Sequence, residues 1–254
     1  MDRNSNLYTI LFAAVVVTVS AVLLAVAVMV LKPAQERNKR QEKMTDIMYT
    51  IGLDKENLTT KAAAEGLKLN YQLIEKYFNK YFIKQYALKA DGTIDKSVNA
   101  FDINMKAEIK KPVEEQRFPI YIAEVDGHKY YVIPLYGKGL WDDIWGYIAL
   151  NEDLNTVKGV KFGHKGETPG LGAEITKKWF ENQFKGEKIF DKNGTFKGIT
   201  LSKTNKDPEN KDKEDHEVDA ISGSTLTSNG VTNMLQERLK HYLPFFNKVR
   251  QQQN

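Results

Sequence analysis

Residues 118–137 read FPIYIAEVDGHKYYVIPLYG, and this stretch decides the fold. Phe118–Val125 and His128–Gly137 are two runs rich in aromatic and β-branched side chains. Asp126-Gly127 between them suits the positive φ angles of a two-residue hairpin turn. Toward the C-terminus WGYIAL (145–150) and NTVKGVKF (155–162) continue as strands, followed by a glycine-rich loop over 163–172. Beyond it the pattern predicts a helix from Ala173 to Phe184, short strands near Glu187–Phe190 and Phe196–Leu201, and a last helix from about Thr227 to Tyr242. Val231, Met234, Leu235 and Leu239 lie on one side of that last helix. Lys203–His216 mixes both charges densely and carries Pro208, which reads as a solvated loop. Strands grouped together with helices around them predict an α+β domain with a mainly antiparallel sheet and flanking helices.

Working back toward the N-terminus, Tyr71–Leu88 reads as an amphipathic helix. Leu73, Ile74, Tyr77, Phe78, Tyr81 and Phe82 recur at three- and four-residue spacing, with Glu75, Lys76, Lys80 and Lys84 on the other face. That aromatic stripe has the spacing of a core face. Residues 32–52 form a charged, helix-prone neck ending at Gly52. Before it, Leu7–Leu31 runs 25 residues without a charge, longer as a helix than a hydrocarbon core of ~30 Å. The run exceeds a signal-peptide apolar region and only Arg3 marks a basic leader, so an uncleaved transmembrane helix anchored in the lipid bilayer is expected. The expected organisation is a short tail (1–6), the anchor (7–31), a helical neck and insert (32–114), a soluble domain (115–243) and a C-terminal tail (244–254). Lys32, Arg37, Lys39, Arg40 and Lys43 follow the span, and by positive-inside counting they favour a cytoplasmic soluble domain. None of the polar residues within the span is ionisable, so this helix alone offers no ion pathway.

Composition removes whole classes of chemistry. The chain has 254 residues and no cysteine, which excludes disulfides, thiolate catalysis and cysteine-ligated clusters. A net charge of +4, with basic and acidic residues interleaved, gives no stripe suited to nucleic acid, so none is expected as a partner. The four histidines, 128, 164, 216 and 241, are scattered and no metal site is expected. Gly170–Ile175 fails the dinucleotide fingerprint at its last glycine, and no phosphate loop or H-E-x-x-H motif occurs. No catalytic residue is expected.

The segment with chemical potential is Asp219-Ala220-Ile221-Ser222-Gly223-Ser224-Thr225-Leu226-Thr227-Ser228, a hydroxyl-rich turn before a helix. One reading is an ordinary N-cap, in which Ser or Thr oxygens accept bonds from the free helix N–H groups. The other is an anion site, because those N–H groups and the helix dipole favour a phosphate and Gly223 permits close approach to the backbone.

This segment resembles the flavinylation motif D-x-x-(S/T)-G-A-T of the FMN-binding domain family. Asp219, Ser222, Gly223 and Thr225 match, and Ser224 replaces the family's alanine. His164-Lys165-Gly166-Glu167-Thr168-Pro169-Gly170-Leu171-Gly172 resembles the family's H-x-x-E-T-P-G-L-G loop. Gly139-Leu140-Trp141, followed by Trp145-Gly146, resembles its G-x-G-L-W segment. Taken singly, these two read as a turn and a core tryptophan at a strand end. Within the family, the anchor and the Lys32-Pro33, Gln35, Asn38-Lys39 neck resemble the C subunits of sodium-translocating NADH:quinone reductases.

The resemblance implies FMN joined through its phosphate to Thr225, with Asp219, Ser222, Gly223, Ser224 and Thr227 around the attachment point. Glu167, Thr168, Pro169, Gly170, Leu171, Gly172, Gly139, Leu140 and Trp141 would line the cofactor. Glu167 either bonds a flavin edge or braces the loop through a salt bridge. The resemblance further implies an extracytoplasmic (periplasmic) domain on a bacterial inner membrane, against the charge count. Other membrane subunits would be partners, a flavin transferase would mature the chain, and the protein would relay electrons without turning over alone. The homologous flavin subunit of a ferredoxin-oxidising Rnf complex is disfavoured by the longer insert over 44–115. A membrane-tethered binding or sensor domain without flavin is the reading from another class.

Overall fold

The computed structural model describes residues 6–253 apart from Asn205 and Pro208. Arg3 with the rest of the first five residues, and Pro208 of the predicted loop, lie outside the described residues. The chain divides into two compact units, Met1–Lys43 and Met44–Asn254.

Helix α1 (Asn6–Thr50) supplies the first unit and enters the second. Its most apolar window has a mean hydropathy of 2.9 with none of it buried, and it is long and apolar enough to cross a membrane. Anchor and neck, expected as separate pieces, are one helix running through Pro33. A single proline removes one backbone bond, and the strong helix formers that follow it (Ala34, Gln35, Glu36, Arg37) carry the helix onward. The helix stops where the sequence puts Gly52. The Gly52 N–H donates to the Tyr49 carbonyl at 3.0 Å and the Leu53 N–H to the Met48 carbonyl at 3.0 Å, with Gly52 at φ +87°. This is a Schellman cap, and glycine adopts its left-handed residue at no steric cost.

After α2 (Lys55–Ala64) and α3 (Tyr71–Tyr81), the predicted long helix is corrected. At Phe82 the chain turns into strand β1 (Phe82–Leu88). Ile83, Tyr86 and their neighbours are strand formers, and pairing of β1 with β3 (Phe118–Val125) overrides the helical spacing that continues through Phe82. β2 (Ile94–Asp95) and the one-turn helix α4 (Met105–Glu108) complete the insert. The stretch expected to be a helical insert therefore contributes two strands to the main sheet.

That sheet has the order β2-β1-β3-β4-β5-β6, with every pair antiparallel. β4 is His128–Lys138, β5 is Asp143–Asn151 and β6 is Val157–His164. At the hairpin, Asp126 and Gly127 both have positive φ, 51° and 79°, as a type I′ turn demands. Side-chain alternation sends Ile120, Ile122, Tyr131, Ile133 and Leu135 into one core and Tyr121, Ala123, Tyr130 and Val132 into another. The end of α1, with α2 and α3, covers the second core. Both faces are thus buried, which is why Phe118–Val125 reads as a nearly continuous apolar run.

The helix expected over 173–184 is broken into 3-10 turns at Gly172–Thr176 and Asn182–Phe184 around α5 (Lys178–Glu181). Ile175, Phe180 and Phe184 are all fully buried. A five-residue step from 175 to 180 does not fit one α-helical face, and the extended backbone of Lys177 inserts the correction. The strands expected near 187–201 shrink to isolated bridges and β7 (Thr200–Ser202), which pairs in parallel with β8 (Glu217–Asp219). α6 (Thr225–Lys240) packs its Val231, Met234, Leu235 and Leu239 into the first core. The expected tail is instead helix α7 (Leu243–Gln253), whose Phe245 and Phe246 are buried in the same core. The predicted solvated loop is pinned at its end: Lys213 Nζ donates to Glu187 Oε1 at 3.0 Å and Asn210 Nδ2 to the Gln183 carbonyl at 2.6 Å.

Two expectations follow. A Cβ at Gly159 would stand 2.6 Å from the Thr50 carbonyl oxygen, so Gly159→Ala should destabilise the soluble unit by about 1–3 kcal/mol, read as a lower urea midpoint; an unchanged midpoint would contradict the packing of the α1 end on β6. Burial raises the fully buried Glu187 to about 7 from 4.5, with Lys213 opposing the shift. Between these values the folded chain holds a proton that the unfolded chain releases. Stability from this group is therefore present at low pH and is lost as pH rises toward 7, at up to ~1.4 kcal/mol per pH unit. Glu187→Gln should flatten that slope in denaturation curves taken across the range.

Candidate functional site

Three segments far apart in sequence meet at the start of α6. Glu167 joins them. Its side chain is buried, with 4% of the residue exposed; Oε1 accepts the Trp141 backbone N–H at 3.0 Å and Oε2 accepts the Thr227 hydroxyl at 2.5 Å. Its own N–H donates to His164 Nδ1 at 3.2 Å. The bond from Thr227 is buried and the other two are part-buried, so it is the Thr227 hydroxyl that would be left buried without a partner if the carboxylate were lost. These hydrogen bonds make Glu167 a brace between the three segments.

Glycines make this convergence possible. A Cβ on Gly139 or on Gly172 would collide with the Glu167 carboxylate, and one on Gly172 would also strike the Thr227 hydroxyl. Gly230 of α6 lies against the Lys138 carbonyl, and a Cβ on Gly137 would stand 2.8 Å from the Met234 side chain. Helix and strand approach more closely than side chains would allow, which sets α6 directly over the end of β4. Trp145 packs on Gly163, where a Cβ would be 2.5 Å from the indole nitrogen.

The helix entry itself departs from an ordinary cap. Ser224 occupies the N-cap position, yet its side chain makes no capping bond. Thr225 is the first helical residue, two positions earlier than the sequence pattern placed the helix start, and it is half-buried. The turn ahead of it is closed by other groups: the Ser224 N–H donates to the Ile221 carbonyl at 3.0 Å and the Ile221 N–H to Ser228 Oγ at 3.2 Å. Gly223 supplies a φ of +72° and lies against Leu171, whose Cδ2 would be 3.1 Å from a Cβ there. First-turn N–H groups have no partner inside a helix, so an uncapped entry favours an anion. Around it stands an apolar rim: Trp141 is 69% exposed, Leu226 60%, and Leu140 and Leu171 are also exposed. The Trp141 indole donates to Thr168 Oγ1 at 3.2 Å, linking two of the segments. Pro169 and Gly170 are exposed on the same loop.

Other expected residues take different positions. Thr227 is fully buried and occupied by Glu167, so its hydroxyl faces the brace. Ser222 is exposed on the turn, and Asp219 ends β8 with its N–H donated to Gln183 Oε1 at 2.9 Å. Beside the Gly139–Trp141 segment, Asp143 is buried and bonded by Lys106 and Lys138, in that order the causes that hold its carboxyl well below the usual range. Ser228, Gly230, Gln183 and His164 are not among the expected site residues; Ser228 carries a local signal as a further hydroxyl within the quoted turn, and His164 opens the quoted H-x-x-E-T-P-G-L-G loop, whereas Gly230 and Gln183 carry none. Among the described residues no group of three acidic or histidine side chains could hold a metal.

Residues 139–240 match the FMN-binding domain family, a span that contains all three segments. The C subunit of the Na(+)-translocating NADH-quinone reductase of Pseudomonas aeruginosa is 32% identical over 92% of this chain and 91% of its own length. The chain belongs to this C-subunit family. The corresponding protein of Neisseria meningitidis serogroup A is 31% identical over 98% of this chain and 96% of its own. The crystal structure of the Parabacteroides distasonis C subunit is similar at a TM-score of 0.70 and 33% identity, covering 85% of this chain and 96% of that one. That of Shewanella oneidensis NqrC is similar at a TM-score of 0.67 and 27% identity, covering 84% and 99%. As in the expected C-subunit fold, an antiparallel sheet with flanking helices follows a long apolar N-terminal helix.

Replacing Glu167 with alanine would leave the buried Thr227 hydroxyl and the part-buried Trp141 N–H without their partner. The expected loss is about 2–4 kcal/mol, measured by chemical denaturation. An effect within ~0.5 kcal/mol, typical of a surface change, would show that the three segments hold together without it.

Proposed function

We propose that Thr225 carries FMN through a phosphoester to its hydroxyl, and that the chain relays electrons as the C subunit of a membrane complex that oxidises NADH, reduces a quinone and moves sodium. The observation that carries this reading is the uncapped entry of α6. Ser224 leaves the first-turn N–H groups open, Thr225 stands at that turn, and Gly223 removes the side chain that would crowd a phosphate. The FMN-binding domain match over the same residues supports the choice of anion.

The residues present fit such a group. The uncapped N-terminus suits the phosphate, and the exposed faces of Trp141, Leu140, Leu171 and Leu226 offer apolar surface to a planar ring. When bound, FMN supplies one- and two-electron redox chemistry, while the protein sets its position and surroundings. Glu167, bonded to Thr227, holds the Trp141 backbone and packs against Gly172, while Thr168 Oγ1 accepts the Trp141 indole N–H. Asp143 keeps Lys106 and Lys138 beside the same segment, placing positive charge near the site.

A flavin transferase adds the cofactor from a flavin dinucleotide: the Thr225 hydroxyl loses its proton and attacks the flavin-side phosphorus, the phosphoanhydride bond breaks, and the other nucleoside monophosphate leaves. The anchor holds the domain at the bilayer on its extracytoplasmic side, where a tether prevents loss of a scarce nucleotide. Neighbouring membrane subunits supply and accept the electrons, and any ion pathway lies in them, because the anchor carries no Asp, Glu, His, Lys or Arg.

Protein co-expressed with its flavin transferase should show a fluorescent band on a denaturing gel. Thr225→Ala should abolish that fluorescence while shifting stability by no more than ~0.5 kcal/mol. Fluorescence persisting in the variant would move the attachment elsewhere, and a dark wild-type band would remove the covalent flavin altogether.

A further inference from the structure

We propose that Gln183 is a positioning residue for the modification segment, gripping the strand that delivers Thr225; the inference rests on the assignment of Thr225 as acceptor. β7 and β8 are three residues each, and a pair that short does not hold its own geometry in water. It is held from both edges by side chains. On the β7 side, Thr232 Oγ1 of α6 accepts the Leu201 N–H at 2.9 Å, and Gln236 Nε2 donates to Thr200 Oγ1 at 3.2 Å.

On the β8 side the backbone alternation decides which group needs help. The Ala220 N–H reaches across to the Ser202 carbonyl at 2.9 Å, and the Thr200 N–H to the His216 carbonyl at 2.9 Å. The Asp219 N–H points the other way, off the edge of the ladder. Gln183 Oε1 accepts it at 2.9 Å, standing in for a missing strand. Between that bond and Thr225 lies one short turn, closed by Ser228 Oγ on the Ile221 N–H. Gln183 and Ser228 therefore fix the two ends of the turn.

Gln183 is itself immobilised. Its backbone carbonyl accepts from Asn210 Nδ2 at 2.6 Å and from Lys213 Nζ at 3.2 Å, and Lys213 is tethered to the buried Glu187. The charged loop over 203–216 thereby acquires a role, as the support of the residue that supports the motif. Gln183 is half-buried and lies outside the flavin-lining segments, so its side chain can be changed without emptying the core or touching the cofactor.

The test compares Gln183→Met, of similar length without the acceptor, with Gln183→Glu, which keeps it. Full-length chains are mixed with the flavin transferase and its flavin nucleotide, and the rate of fluorescence gain on denaturing gels is followed beside thermal unfolding and hydrogen exchange of the peptide around Asp219. Q183M should incorporate flavin about 2- to 10-fold more slowly, the order of one lost hydrogen bond expressed as a rate. Exchange at the Asp219 peptide should rise with little change in unfolding temperature, and Q183E should restore the rate. Incorporation by Q183M at the wild-type rate would overturn the inference while leaving the Thr225 assignment standing. So would slowing matched by a fall in unfolding temperature and not rescued by Q183E. Failure of the wild type to incorporate flavin would instead bring down the Thr225 assignment and this inference with it.

Discussion

Burying a carboxylate without a cation is costly unless hydrogen bonds replace its water, and Glu167 is held by this requirement. Its two oxygens take one backbone N–H from the 139–141 segment and one hydroxyl from the first turn of α6. The three sequence-distant segments cannot separate without stranding that group in a dry interior. A brace of this kind is directional in a way that apolar packing is not. It fixes the distance and the orientation between a loop, a strand end and a helix entry.

The same constraint explains the glycines. Gly139 and Gly172 flank the carboxylate, Gly230 and Gly137 let α6 descend onto β4, and Gly223 supplies the left-handed turn that presents Thr225. Each is glycine for a nameable reason: a collision with Glu167, with the Lys138 carbonyl or with Met234, or a positive φ. The first turn of α6 is uncapped and rimmed with exposed apolar side chains. An uncapped helix entry favours an anion, and the FMN phosphate proposed for Thr225 is one.

Much of this was legible in the residues. The hairpin at Asp126-Gly127, the strands on either side and the helix stop at Gly52 follow from turn chemistry and periodicity, because those signals are local. The site segments were legible through their resemblance to a family, although their closure by Glu167 was left between two roles. What the sequence hid depends on tertiary contact. Phe82–Leu88 keeps a helical stripe in its first residue and becomes a strand because β3 offers an edge. Residues 244–253 look like a tail until Phe245 and Phe246 find the core. Gln183 carries no signal at all, since its function is to meet one N–H 36 residues away.

The central claim is that one hydroxyl, held at an open helix entry, is the attachment point of a redox cofactor. Mass spectrometry of the peptide spanning 219–235, from protein matured in its native host, tests it most directly. The account predicts that this peptide carries the mass of an FMN ester and that fragmentation localises it to Thr225. An unmodified peptide, or a flavin localised to Thr227, Ser224 or Ser222, would contradict it.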